Sequence, residues 1–472
     1  MIVYLLFFIV YSYLLINVFQ NYHYEFKPLI SFVFRKIFII TFPILIFFFS
    51  HFFLNYLVYL VIPFVIYLCY FATHKIKVPL RFTHRIIRML ITYILLVFIF
   101  DYFFLFSFVL LILPLILYVS NLFNKPLEKM IQKHFINNAK KKVENFKGVR
   151  VAITGSFGKT STKHYLASFL KQKFIVRQTP KSYNTPLGIA KYVNNDDLDY
   201  ADFLILEFGA RRVGDIRELK KYYEYDIAII TGIGSMHIDT FKNIDNIIEE
   251  KMSLIEGSRI SIVNYENDFI RNHRFKCSYS YGFNYGDYQA RNVVISIYGS
   301  SFDLFRHNNF VQNIKIKPLG RGAVLNFLPL IIFADLYNIS LDKLGDIKMV
   351  ENRLSLRKME GYYILDDAYN SNILGAIYAL EVLSTHDGKK YLITPGFAEM
   401  NKVKEILSEE YSTNINKFCD VIILVKNNFT EILKERITRE VIFVDSFKEG
   451  FNLFLKIKEE NSILLIENDL LE

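Results

Sequence analysis

The residues that could do chemistry begin with Gly155-Ser156-Phe157-Gly158-Lys159-Thr160-Ser161-Thr162. A β-branched run, Val149–Thr154, leads into them, and a helical pattern over His164–Phe174 follows. Strand, glycine loop, Lys-Thr and helix together are a recipe for holding phosphate. The glycines let backbone N–H groups turn toward an anion, and the helix N-terminus adds a favourable dipole. Lys159 can reach terminal phosphates, and the Thr160 hydroxyl can bind a hard cation. The strict motif has a glycine five residues before Gly158. Here that position is Ile153, so the loop is a shorter variant.

The elements that position this loop follow at α/β spacing. Asp202–Glu207 is an apolar strand ending in Phe208-Gly209-Ala210. Asp226–Thr231 is another, ending in Gly232-Ile233-Gly234-Ser235-Met236-His237. Arg259–Asn264 is a third. Buried strands alternating with helices predict a parallel sheet, whose active site lies at the carboxyl ends of its strands. The phosphate loop, Glu207 and His237 all fall there. Taken singly, Glu207 or His237 would more often be a structural hydrogen-bonding group, and Lys251, preceded by Glu249 and Glu250, a surface lysine.

These residues resemble the Mur ligase family, the ATP-dependent amide ligases of cell-wall peptide synthesis. GSFGKTSTK is similar to the family's phosphate loop, and Ser182-Tyr183-Asn184 to the SYN stretch of one branch. Leu206-Glu207-Phe208-Gly209-Ala210 resembles its LE(M)GA stretch. His237, with Lys251 fourteen residues on, resembles the family's His and modified Lys. Asp366-Asp367-Ala368-Tyr369-Asn370-Ser371-Asn372 resembles DDAYNAN. Together they point to the D-alanyl-D-alanine-adding branch and cover about residues 148–472.

The resemblance implies ATP and Mg²⁺ as cofactors and an acyl-phosphate route to an amide. Crowded negative charge must be neutralised along that route. Gly155, Ser156, Gly158, Lys159, Thr160, Ser161, Asn326, Arg353, Asp367, Tyr369 and Asn370 would then bind the nucleotide, and Asn184 the substrate. Thr160 and Glu207 would hold one Mg²⁺. His237 and Lys251 would serve a second metal, Lys251 as a carbamate, which requires a neutral amine and so a lowered pKa. Lys159, His237 and Lys251 are the catalytic candidates. The chain departs from the family at Gly322-Ala323-Val324-Leu325-Asn326, where only the last Asn of an HN-x-x-N pattern remains. Ile373 replaces a usual Pro, the late Lys-Gly-Ser stretch is missing, and an apolar segment stands where the UDP-binding domain is expected.

Composition separates the chain into two solvents. The 472 residues carry a formal charge of +10, with 46 Phe, 32 Tyr and no Trp. Residues 1–123 hold only two acids, Glu25 and Asp101, against eight bases, so more than half of the excess lies there. Three uncharged or nearly uncharged stretches run through this part: Met1–Gln20, Ile37–Phe71 and Met89–Phe123. About 20 apolar residues span a bilayer as a helix. Five spans are predicted, near 2–19, 37–54, 56–72, 89–105 and 106–122. The bases sit in two loops, Lys27–Lys36 and Lys75–Arg88, and after Phe123, which places that side in the cytoplasm. The charge is therefore an orientation signal, and no nucleic-acid partner is expected. Asp101 reads as lying near a helix end. Cys69, Cys277 and Cys419 have no zinc or disulfide spacing.

The expected architecture is α/β behind a membrane segment. Residues 1–123 form a helical transmembrane domain, and 124–147, with Lys140-Lys141-Lys142, a solvated basic linker helix near anionic headgroups. Residues 148–347 form the central P-loop ATPase-like domain with a parallel sheet. Residues 348–472 form a Rossmann-like C-terminal domain, with strands at Tyr362–Asp366, Lys390–Thr394, Val421–Val425, Val441–Val444 and Ile463–Ile466. The resulting expectation is a multi-pass cytoplasmic-membrane ligase whose partners are the lipid bilayer, a carboxylate acceptor on a lipid-linked or UDP-linked peptide, and an amino acid or dipeptide. Three readings stay open beside it: a conventional D-alanyl-D-alanine-adding ligase with an added anchor, a membrane poly-amino-acid synthase, and a non-catalytic nucleotide-binding sensor or scaffold.

Overall fold

The structure is a computed structural model that describes residues 2–22, 24–35, 80–103, 106–273, 275–348, 353–368, 372–397 and 404–467. It divides into two compact units, Met1–His134 and Phe135–Glu472.

The first unit is helical. Among the described residues its helices are Ile2–Asn21, Phe26–Arg35, His84–Phe103 and the first part of Phe106–Asn145. Phe7, Tyr11, Leu14, Tyr93, Val97, Leu113 and Leu117 form its core. The outward faces are also apolar: Leu95, Phe98, Phe103, Leu111 and Leu115 are exposed. A helix apolar all round wants an apolar medium on its outer side. His84–Phe103 and Phe108–Asn145 are long and apolar enough to cross a membrane. Gly320–Tyr337 also is, but its side chains fill the core of the second unit. The expected spans at 37–54 and 56–72 lie outside the described residues. Asp101 is exposed in the last turn of its helix. The expected loop Lys27–Lys36 is mostly the short helix Phe26–Arg35, which turns Leu29 inward.

The second unit holds two sheets. Strands β1 (Val149–Thr154), β2 (Val176–Gln178), β3 (Phe203–Glu207), β4 (Ile227–Ile230), β5 (Ile260–Asn264), β6 (Tyr279–Gly282), β7 (Tyr288–Ser296), β8 (Gly299–Arg306) and β9 (Asn309–Ile316) build the first. Their spatial order is β2-β3-β1-β4-β5-β6-β7-β8-β9. The pairings from β2 to β7 are parallel. β7-β8-β9 are antiparallel, so the sheet is mixed where a parallel one is expected. Hairpins need only short connections, and residues 279–316 alternate weakly, so this extension is faint in the sequence. β3 and β4 are buried along their whole length, and β1 along its last four residues. Such runs belong in a sheet covered on both faces. Side chains of one parity pack on Lys159–Leu170 and Gly320–Tyr337. Those of the other parity pack on Pro186–Asn195, Asp215–Tyr222 and Ile244–Met252.

The second sheet comprises β10 (Ser355–Lys358), β11 (Tyr362–Asp367), β12 (Lys390–Thr394), β13 (Val421–Val425), β14 (Glu440–Val444) and β15 (Ser462–Glu467). Its order is β10-β11-β15-β12-β13-β14. All pairs are parallel except β10 with β11.

The segment expected as a solvated linker has a different role over its second half. Ile136, Ala139, Val143 and Phe146, at helical spacing, are buried in the core beneath β1 and β3. Lys142 donates to the carbonyls of Val193, Asn194 and Asp196, at 3.2, 3.0 and 3.4 Å. It thus satisfies the open end of Pro186–Asn195, where cations are favourable.

Candidate active site

β1 lies between β3 and β4. That neighbourhood brings the loop after β1, the last residue of β3 and the loop after β4 to one edge of the sheet, the usual place for a ligand in this architecture.

The loop is built by close backbone approach. Gly158 takes φ 80° at the start of Lys159–Leu170, and a Cβ there would lie 2.7 Å from Asn326 Oδ1. Only glycine enters that conformation without strain. Ser156 N–H donates to the Gly232 carbonyl at 2.6 Å, and its hydroxyl contacts Gly234 at 3.1 Å. The Phe157 ring rests on Gly232, where a Cβ would meet it at 2.5 Å. The Gly-Ile-Gly after β4 is therefore the floor of the loop. Asn326 accepts from Thr162 at 3.1 Å and fixes the loop from the side of Gly320–Tyr337.

Lys159 folds back over the loop and donates to the carbonyls of Gly155 and Ser156, at 2.7 and 3.0 Å. Burial lowers its pKa to about 8. Glu207 opposes that shift, while Arg353 and Lys163 add to it. The ammonium is thus desolvated and poised for an anion.

Glu207 is the centre of the cluster and is buried, at 1% exposure. Its Oε2 accepts from Thr160 at 3.0 Å and from Lys163 at 2.9 Å. Its Oε1 accepts from Asn184 Nδ2 at 3.1 Å. Burial pushes this carboxyl up, but Lys163 and Lys159 outweigh it and hold it below the ordinary carboxylate range. Asn184 is held in turn by its carbonyl, which accepts from Gly209 N–H at 2.9 Å. Gly209 has to be glycine, since a Cβ would strike the Asn184 side chain at 2.7 Å.

Thr160 and Glu207 offer two hard oxygens 3.0 Å apart beside the phosphate loop. A cation there would have a hydroxyl, one carboxylate, and phosphate oxygens or water. That suits Mg²⁺, which keeps much of its water and takes few protein ligands. No group of three or more His, Cys, Asp or Glu converges among the described residues.

His237 adopts φ 61° at the head of Ile238–Phe241. Lys251, on Ile244–Met252, is buried at 2% exposure with its Nζ 6.0 Å from the Phe241 ring centre. Burial, then the Lys159 charge, lower its pKa to about 7, against opposition from Glu250 and Asp215. Near neutrality much of Lys251 is therefore a free amine. Glu250 is a structural partner: it accepts from Gly214 N–H at 2.8 Å and Ile216 N–H at 2.6 Å, capping Asp215–Tyr222.

A cavity opens beside the loop between the two sheets of this unit. Gly158, Ser161, Tyr165, Asn264, Asn326, Arg353, Asp367 and Tyr378 are among its lining residues. Asp367, at the end of β11, accepts from Leu354 N–H at 2.9 Å. Tyr369 and Asn370 lie outside the described residues. Sequence reasoning missed Lys163 and Tyr378. Lys163 stands one helical turn beyond Lys159, a visible signal, whereas Tyr378 is placed only by the tertiary fold.

Residues 153–334 match the Mur ligase middle domain. The chain carries a Mur ligase middle domain. Mur ligases are ATP-dependent amide-bond ligases that use Mg²⁺. The chain is 27% identical over 346 residues to the UDP-N-acetylmuramoyl-tripeptide--D-alanyl-D-alanine ligase of Borreliella burgdorferi, covering 67% of this chain and 71% of that one. It is 29% identical over 259 residues to the enzyme of the same name from Rickettsia prowazekii, covering 51% and 57%. The chain thus spans little more than half of the Rickettsia relative. In fold it is similar to the MurF ligase from Thermotoga maritima in complex with ADP, with TM-score 0.65, 24% identity and coverage of 71% of this chain and 80% of that one. Acinetobacter baumannii MurF gives TM-score 0.65 at 21% identity, covering 72% and 78%. The fold is thus Mur ligase-like over about seven tenths of the chain, and the phosphate loop, Glu207 and Lys251 lie in the matched middle domain.

Proposed function

We propose that this chain is a membrane-anchored, ATP-dependent ligase of cell-envelope peptide synthesis that joins an amino acid or dipeptide to a carboxylate. The observation that carries this reading is the cluster of Lys159, Thr160, Glu207 and Asn184 at the carboxyl ends of β1 and β3. Lys159 and the loop N–H groups hold the γ-phosphate of ATP, and Thr160 with Glu207 would hold Mg²⁺, which would neutralise phosphate charge when bound. Asn184 and its loop orient the acceptor carboxylate, whose oxygen attacks the γ-phosphate to give an acyl phosphate and ADP. The amine then attacks the acyl carbon, and phosphate leaves. Lys251, whose neutral amine could take up CO₂ and release a proton to give a carbamate, would with His237 serve a second metal. The neutral amine this needs is supported by the low Lys251 pKa.

The C-terminal sheet reads as a Rossmann-like domain that closes over ATP and delivers the amine, with Arg353 and Asp367 at the nucleotide. The apolar helices read as a multi-pass anchor in the cytoplasmic membrane, with the ligase unit in the cytoplasm. A fixed enzyme suits an acceptor carried by a lipid-linked glycan or peptide. The names of the relatives favour a second reading, a conventional D-alanyl-D-alanine-adding ligase acting on a UDP-linked peptide. Burial of Lys251 counts against a sensor that only binds nucleotide, because burying an unused lysine is costly.

ADP release in detergent or nanodiscs, with lipid-linked and UDP-linked carboxylates and a panel of amines, tests these readings. Turnover should require a carboxylate and an amine together, and Lys159→Ala should lower it by at least about 10³-fold. Turnover with soluble UDP-linked acceptors alone would remove the lipid-linked substrate and keep the ligase.

A further inference from the structure

Lys163 joins the Glu207 carboxylate to the 180–185 loop. It lies one turn into Lys159–Leu170, with its side chain 3% exposed. Its ammonium has three N–H bonds and meets three acceptors: Glu207 Oε2 at 2.9 Å, the Lys181 carbonyl at 2.5 Å and Thr179 Oγ1 at 3.5 Å. A lysine ammonium carries three donors, so the site uses all of them. The acceptors come from two different segments, the end of β3 and the turn after β2.

The turn is shaped for this contact. Lys181 adopts φ 47°, in the left-handed region that non-glycine residues enter at a cost. Its own side chain is exposed, so side-chain burial does not hold it there. The strained residue is the one whose carbonyl binds Lys163. Three residues on, Asn184 returns to the other oxygen of Glu207 and to Gly209. The Pro180–Thr185 loop is therefore clamped at two points on one carboxylate, and Lys163 is the clamp on its near side.

We propose that Lys163 is a positioning residue that locks the 180–185 loop to Glu207, so that the acceptor carboxylate and the metal ligand hold one fixed geometry. The proposal rests on the ligase reading for its kinetics, but not for its structural consequence. A bimolecular step loses steeply when reacting groups are misplaced by an ångström. Loss of the clamp thus acts on the acceptor more than on ATP.

The test uses the full-length protein in detergent with Lys163→Met, Lys181→Pro and Lys181→Gly. Proline cannot adopt positive φ, so Lys181→Pro withdraws the carbonyl while leaving the buried Lys163–Glu207 pair in place. Glycine keeps the carbonyl and relieves the strain. Amide hydrogen exchange over residues 182–188 should speed at least about tenfold in Lys163→Met and Lys181→Pro, and stay at the wild-type rate in Lys181→Gly. KM for the carboxylate should rise about tenfold or more in the first two, with KM for ATP within about twofold. Unchanged exchange at 182–188 in Lys181→Pro overturns the clamp, whether or not Lys163→Met folds. So does a rise in KM for ATP that equals the rise for the carboxylate. If wild type turns over no carboxylate at all, the ligase reading fails, and the exchange result still decides the clamp.

Discussion

Gly158 and Lys251 carry the sharpest consequences at the scale of single residues. Gly158→Ala combines a left-handed φ with a contact at 2.7 Å to Asn326. It should cost about 1–2 kcal/mol of stability and weaken ADP binding, read by thermal shift with and without ADP. Lys251 has a folded pKa of about 7 against an ordinary 10.5. Its neutral amine becomes the main form as pH rises through 7, so bicarbonate-stimulated turnover should climb between about pH 6 and 8. A flat profile over that range would remove the carbamate role. Linkage runs the same way. The unfolded chain binds this proton more tightly, so the destabilisation due to Lys251 is greatest at and below pH 7 and fades toward 10.5. Lys251→Met should therefore raise Tm at pH 7 while abolishing turnover. A lowered Tm would mean that the buried ammonium is held by partners worth more than its desolvation.

Among the elements, the helix Phe106–Asn145 is the instructive one. Residues 136–146 bury Ile136, Ala139, Val143 and Phe146 in the ligase unit's core. A fragment starting at Phe135 should thus be monomeric and cooperatively folded. One starting at Gly148 would lose four buried apolar side chains, at about 1.5–3 kcal/mol for each large one, and expose the faces of Ile189 and Val193. Denaturant midpoints of the two fragments check this, and equal midpoints would return the segment to a mere linker. Gly320–Tyr337 makes the converse point. It is apolar enough to span a bilayer, yet it is buried in the core of the second unit.

For the whole molecule the proposed membrane anchor is what has to be tested. Apolar helices with exposed Leu95, Phe98, Phe103 and Leu115 resist salt, whereas a headgroup contact through Lys140–Lys142 would be screened. The chain should stay in the membrane pellet after a wash at about 1 M salt. Release by salt would replace spanning helices with a peripheral, charge-driven attachment.

Much of this molecule is legible in its sequence, because local chemistry dictates it. β1 falls on the range its β-branched run predicts, and β12 and β13 on the ranges of their short apolar runs. The loop Gly155–Thr162 is fixed by its own glycines, and Glu207 announces itself at the end of a buried run. The split of charge and apolar residues at about residue 123 is also local. What the sequence leaves undecided depends on partners far along the chain. Lys163 becomes a clamp only because β3 lies beside β1 and the turn after β2 folds back onto Glu207. Lys142 becomes a helix cap only because the end of Pro186–Asn195 lies within its reach, and Lys251 an amine titrating near 7 only because neighbours remove its water. Propensity and spacing act over a few residues, while burial and long-range hydrogen bonding act across the fold, and these groups take their roles from the latter.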